Sequence, residues 1–121
     1  MNRFKEIKCL AIDIDGTLTD EKGRINLKAI EMMRRIKEKL DIKIILASGN
    51  TYPVMMGLAR YISGIDILIA ENGGIVGYGK TKQIIGDPTI GERGRELIKK
   101  HLNEILTESW QNEYRLSLIH I

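Results

Sequence analysis

A chain of 121 residues, 43% hydrophobic and 29% charged, has room for one domain with a core and too little for two. With 2 prolines and 1 cysteine it is no collagen, disordered tail or disulfide scaffold. The net charge of +3 gathers on Lys28, Arg34, Arg35, Lys37 and Lys39, within one predicted helix. That pattern reads as a solvated face; no aromatic interleaving or broad basic stripe points to a nucleic-acid partner.

No apolar run is long enough for a membrane span, so no membrane partner is expected. Asp13 and Asp15 interrupt the apolar stretch a signal peptide would need, so a cytoplasmic location is expected. Cys9 lies in an apolar run and reads as a small buried hydrophobe.

The first element is a strand, Cys9-Leu10-Ala11-Ile12, running into an acid. A helix follows, with Asn26 as its N-cap and Ala29, Met33, Ile36 and Leu40 at helical spacing. Residues 42–47 form a second Ile-rich strand ending in Ser48-Gly49-Asn50. Another helix spans about residues 53–63, with Pro53 in its first turn and Gly64 closing it. Residues 65–70 are a third strand, ending in Glu71-Asn72-Gly73-Gly74. All three strands are apolar enough to be buried on both faces.

The order β-α-β-α-β predicts an α/β fold of Rossmann-like type: a parallel sheet, right-handed crossovers and helices on both faces. The texture changes near Gly74 to Val76. Residues 75–85 read as a hairpin with a glycine-containing turn, broken by Gly86-Asp87-Pro88. A last helix carries Leu97, Ile98, Leu102, Ile105 and Leu106 on one side. Trp110 and Tyr114 are expected to pack, His101 to be solvated, and the methionines to fill core.

Open parallel sheets bind ligands beyond the C-terminal ends of their strands. Here those ends carry Asp13-Ile14-Asp15-Gly16-Thr17, Ser48-Gly49-Asn50 and Glu71-Asn72. An unpaired carboxylate at the end of an apolar strand is costly, and two acids two residues apart repel. A hard divalent cation such as Mg²⁺ would relieve both problems. Gly16 permits a sharp turn, and Thr17 offers a hydroxyl and an N–H to an anion. Asp15-Gly16 is also readable as a plain turn with Asp13 as a cap. Glu71 and Asn72 shape the rim. Gly77-Tyr78-Gly79 lacks the rest of a dinucleotide fingerprint, and Ser48 is not in a nucleophile elbow.

The stretch Leu10-Ala11-Ile12-Asp13-Ile14-Asp15-Gly16-Thr17-Leu18-Thr19 resembles the first signature of the haloacid dehalogenase superfamily of phosphotransferases. Ala47-Ser48-Gly49-Asn50 resembles its second signature. Ala70-Glu71-Asn72-Gly73-Gly74 is similar to the segment after the third strand in the branch whose cap is inserted there, and the chain is most similar to archaeal-type phosphoglycolate phosphatases of that branch.

The resemblance implies Asp13 as nucleophile forming an aspartyl-phosphate, and Asp15 as general acid and then base. It implies Ser48, Gly49 and Thr17 around the phosphate, Asn50 and Asn72 at the substrate rim, and Mg²⁺ on Asp13 and Asp15. The substrate would be a small phosphorylated metabolite, 2-phosphoglycolate first among them, and a homodimer is a family expectation. An acid at position 15 favours turnover over a long-lived intermediate of the transport-ATPase kind. Another sugar- or glycerate-phosphate phosphatase, a phosphomannomutase-like phosphotransferase and a non-catalytic phosphate- or metal-binding module are the alternatives.

The family's third signature, a Lys, and its fourth, a Gly-Asp with a later Asp, do not occur in this sequence; Gly86-Asp87 is followed by Pro88 and no paired acid. The fold pattern leaves strand 1 as an exposed edge. Leu116-Ser117-Leu118-Ile119-His120-Ile121 resembles the in-frame translation of a transposase adaptor end; the other reading is a cap strand. The expected organisation is residues 1–76 as the first part of the core domain, 77–115 as the beginning of a cap, and 116–121 as an adaptor-derived tail. The chain is expected to be truncated and inactive by itself.

Overall fold

The structure is a computed structural model, and it describes residues 6–102 and 107–116. Five strands form one sheet in the order β1-β2-β3-β4-β5: Cys9–Asp13, Lys43–Ala47, Ile67–Ala70, Ile75–Tyr78 and Thr81–Ile84. The first three are parallel; β4 runs antiparallel to β3, and β5 antiparallel to β4. Three helices accompany them: α1 over Leu27–Lys39, α2 over Tyr52–Ile62 and α3 over Pro88–Leu102.

The helix ends follow from local chemistry. Asn26 Oδ1 accepts from the N–H groups of Lys28 and Ala29 at 3.0 and 3.2 Å, satisfying two donors that a helix start leaves open. Pro53 sits in the first turn of α2, where its missing N–H costs nothing. At the other end Ser63 and Gly64 both have positive φ, 68° and 78°, which stops the helix.

Both α1 and α2 pack on the same face of the sheet, not one on each face as expected. Arg34 of α1 donates to the carbonyls of Ile62 and Tyr61 at the end of α2, at 2.9 and 3.2 Å. Ile30, Met33, Met55 and Ile62 share one core with Ile44, Leu46, Leu68 and Ala70. The strand order explains this. Right-handed crossovers that step β1 to β2 to β3 in one direction must return on the same side each time. The opposite face carries Cys9, Ala11, Ile45, Ala47, Ile67 and Ile69, none of them fully buried.

That one-sided packing also corrects the burial expected for β1. It pairs only with β2, at the end of the sheet order, and its residues alternate between exposed and half-buried. Cys9 is exposed, not buried, because nothing among the described residues covers its face of the edge strand. Leu40, Leu97 and Leu102, read as apolar-face residues, are exposed, while Ile30 is buried in α1. Ile105 and Leu106 lie outside the described residues. Met33 and Met55 fill core as expected; Met32 and Met56 are half exposed. Trp110 and Tyr114 touch each other edge to face, 6.5 Å between ring centres, and stay exposed.

The hairpin over residues 75–85 forms as expected but continues the same sheet, so β4 crosses the boundary drawn at residue 76. Gly77 faces the helices and lies beneath Tyr52 of α2: a β-carbon there would sit 2.5 Å from one ring carbon of Tyr52 and 2.8 Å from another. Of the tail expected over residues 116–121, only Leu116 is described.

Candidate active site

The sheet register sets the site. Asp13 pairs with Ala47, and Ala47 with Ile69, so the residues that follow these three strands emerge along one rim. The three polar clusters expected to converge there do so.

After Asp13 the chain makes a compact turn over Ile14–Leu18, closed by Thr19 N–H to the Ile14 carbonyl at 3.1 Å. Ile14 and Leu18 point into the core, 3% and 2% exposed. Burying them forces Asp13, Asp15 and Thr17 outward; all three are exposed. Gly16 takes φ +80°, which a side chain would resist, and donates its N–H to Thr19 Oγ1 at 2.9 Å. Thr19 is thus a structural member of this turn that the sequence reading left without a role. Its signal was present, a hydroxyl residue three positions after the turn glycine.

The two carboxylates differ in what holds them. Asp13 Oδ1 accepts from its neighbour Ile14 N–H at 2.8 Å, and Oδ2 is uncommitted among the described residues. Asp15 Oδ2 accepts from Asn50 Nδ2 at 3.0 Å. Asn50 therefore ties the first cluster to the second. The same amide donates to Ser48 Oγ at 2.7 Å, and the Asn50 backbone N–H reaches that oxygen at 3.1 Å. With two donors aimed at it, the Ser48 oxygen has both lone pairs engaged, and its proton is left to donate. Ser48 is 8% exposed, so that donor is fixed in place on the rim.

The third cluster closes the floor. Glu71 N–H donates to the Asn50 carbonyl at 3.0 Å and Asn72 N–H to the Ser48 carbonyl at 3.2 Å. Glu71 and Asn72 hold positive φ values of 52° and 53° to do this. Glu71 is 1% exposed, and its carboxylate accepts from Leu116 N–H at 2.9 and 3.1 Å. Thr51 heads α2; its Oγ1 is buried without a hydrogen-bond partner among the described residues.

A segment from the far end of the chain reaches this rim, which the sequence reading missed entirely. A 3-10 turn over Trp110–Tyr114 places Gln111 against the loop after β2. Gln111 Nε2 donates to Asn50 Oδ1 and Gln111 Oε1 accepts from Thr51 N–H, both at 2.8 Å. Arg115 donates to the Gly49 carbonyl at 2.7 Å. Burial pulls its pKa below the ordinary guanidinium value, with Glu71 nearby pulling the other way. No local pattern announces a contact between residues 61 positions apart.

Among the described residues no three His, Cys, Asp or Glu side chains gather as a metal cluster. The donors that do stand at the rim, two exposed carboxylates and backbone carbonyls, are hard oxygens. That set fits Mg²⁺, which binds through one or two carboxylates and keeps several waters.

A family model described as haloacid dehalogenase-like hydrolase matches residues 10–117. A phosphoglycolate phosphatase of Metallosphaera sedula is 41% identical over 113 residues, covering 92% of this chain and 49% of the relative. Phosphoglycolate phosphatase 1 of Saccharolobus solfataricus is 38% identical over 113 residues, covering 90% of this chain and 46% of the relative. The crystal structure of Thermoplasma acidophilum 0175 superposes with a TM-score of 0.82 at 29% identity, over 92% of this chain and 48% of that one. The chain spans about half the length of the curated relatives it matches.

Proposed function

The chain belongs to the haloacid dehalogenase-like hydrolase family, and on that premise we propose that its rim is the nucleophile half of a phosphomonoesterase site. The observation that carries this reading is the placement of Asp13 and Asp15. Both are exposed on either side of buried Ile14, beside a Ser48 hydroxyl whose proton is left to donate.

In the proposed reaction Asp13 Oδ2 attacks the phosphorus of a phosphomonoester, and the bond to the leaving oxygen breaks. Asp15 gives its proton to that oxygen, so an alcohol leaves and Asp13 carries the phosphoryl group. Asp15, now a carboxylate, takes a proton from water. The water oxygen attacks phosphorus, releasing phosphate and restoring Asp13. The Ser48 hydroxyl and the Gly49 N–H donate to the phosphoryl oxygens, with Thr17 beside them. Phosphoryl transfer depends mostly on such positioning and charge neutralisation. Asp13 through a carboxylate oxygen and Asp15 through its carbonyl would hold Mg²⁺, which neutralises charge on the phosphoryl oxygens when bound. Asn50 and Asn72 border the substrate.

The names of the relatives support 2-phosphoglycolate as the substrate, among small phosphorylated metabolites. A cytoplasmic setting and a homodimer belong to the same proposal. So does a division in which residues 77–115 begin a cap that carries substrate choice. The test is Mg²⁺-dependent phosphate release from 2-phosphoglycolate by the product of the gene, re-read past the codon for Arg115. Asp13→Asn is expected to abolish release; turnover retained in that variant refutes the nucleophile assignment.

A further inference from the structure

We infer that Gln111 is a positioning residue of the candidate site, acting through Asn50 on both Asp15 and Ser48. The inference rests on the functional reading above for its consequence, but not for its geometry. The side-chain amide of Asn50 could in principle face either way, since its oxygen and nitrogen have nearly the same shape. The hydrogen-bond chain removes that freedom. Thr51 N–H can only donate, so the group of Gln111 facing it at 2.8 Å must be the oxygen. Gln111 Nε2 then faces Asn50, and the Asn50 atom that accepts from it at 2.8 Å must be Oδ1. This turns Asn50 Nδ2 toward Asp15 Oδ2 at 3.0 Å and Ser48 Oγ at 2.7 Å.

The opposite orientation would set the Asn50 oxygen against the Asp15 carboxylate and leave the Ser48 oxygen without that donor. A backbone N–H at the start of α2 thereby adds, through two amides, to the demand of the Asp15 carboxylate in fixing Asn50, and with it the direction of the Ser48 proton and the resting place of the Asp15 carboxylate. Gln111 need touch neither the acid nor an anion to do this.

The experiment compares the 121-residue chain with Gln111→Glu. A carboxylate at 111 still accepts from Thr51 N–H but cannot donate to Asn50 Oδ1, so it keeps the loop contact and removes the orienting one. The first readout is the pair of Asn50 side-chain amide resonances by NMR, assigned with Asn50→Ala. The second is affinity for inorganic phosphate in the presence of Mg²⁺. In Gln111→Glu the Asn50 resonances are expected to move, and phosphate affinity to fall about five- to tenfold, the scale of one hydrogen bond. Unmoved Asn50 resonances overturn the inference. Moved resonances in a chain that never binds phosphate sustain the positioning and sink the functional reading instead. A third measurement needs no variant: a coupling across the hydrogen bond between Gln111 Nε2 and Asn50 Cγ is expected in the unsubstituted chain. Its absence also overturns the inference.

Discussion

Asn50 donates its side-chain amide to Asp15 Oδ2 at 3.0 Å, joining the ends of two neighbouring parallel strands. Removing the amide with Asn50→Ala leaves Asp15 free to swing and Ser48 short of one donor. A hydrogen bond to a charged group contributes about 1.5–3 kcal/mol, so kcat/KM of the gene product on 2-phosphoglycolate should fall about 10- to 100-fold. Asn50→Asp should cost more, because it sets a second carboxylate against the first. Steady-state kinetics decide; an Asn50→Ala enzyme with unchanged kcat/KM would show that the contact does no work in catalysis.

Asp66 predicts an acid limb in stability. It lies just before β3, where its Oδ2 accepts from Ile44 N–H at 2.8 Å and from Lys37 Nζ, with Lys43 Nζ 3.6 Å from Oδ1. Burial raises its pKa, but the bonds to Lys37 and Ile44 and the two lysine charges outweigh it, and the carboxyl titrates below its usual range. A depressed pKa contributes stability that is fully present above the unfolded value, about pH 4, and is lost as pH falls through the lower folded value. Melting curves from pH 6 to pH 2 should therefore steepen in loss below about pH 4. Asp66→Asn should be less stable at neutral pH and flatter in that window; a parallel pair of curves would contradict this account.

Gly77 and Tyr52 make a packing prediction. Gly77→Ala would drive a methyl group into the Tyr52 ring, which is 8% exposed and has little room to move. Overpacking of this kind costs about 1–3 kcal/mol. Urea unfolding of the Gly77→Ala chain measures it. In a double-mutant cycle the cost of Gly77→Ala should be smaller in a Tyr52→Ala background than in the unsubstituted chain, since the ring that the methyl group meets is gone.

Asn26 offers a local control. Its side chain satisfies two N–H groups of α1, and Asn26→Ala should cost about 0.5–2 kcal/mol, with Asn26→Asp nearly neutral. Among the described residues the Asn26 side chain bonds only to Lys28 and Ala29 N–H and not to Asn50, Ser48 or Gln111, so affinity for phosphate should not change in either variant.

Much of this protein is legible residue by residue. Asn26, Pro53 and Gly64 bound helices because caps and φ preferences act over one or two residues. Apolar runs ending in Asp13, Ser48 and Glu71 mark strands whose ends share a rim, since parallel pairing aligns those ends. Apolar Ile14 and Leu18 among polar neighbours mark the residues that the turn after β1 buries, leaving Asp13 and Asp15 outward. Tertiary structure alone decided the rest. Which face α1 and α2 share depends on the direction in which successive crossovers step along the sheet, and no residue encodes that by itself. The exposure of Cys9 follows from its place on an edge strand, not from its apolar neighbours. The orientation of Asn50 is set from both sides, by Asp15 and by Gln111 61 positions away, because a side-chain amide takes its direction from whichever partners the fold brings to it.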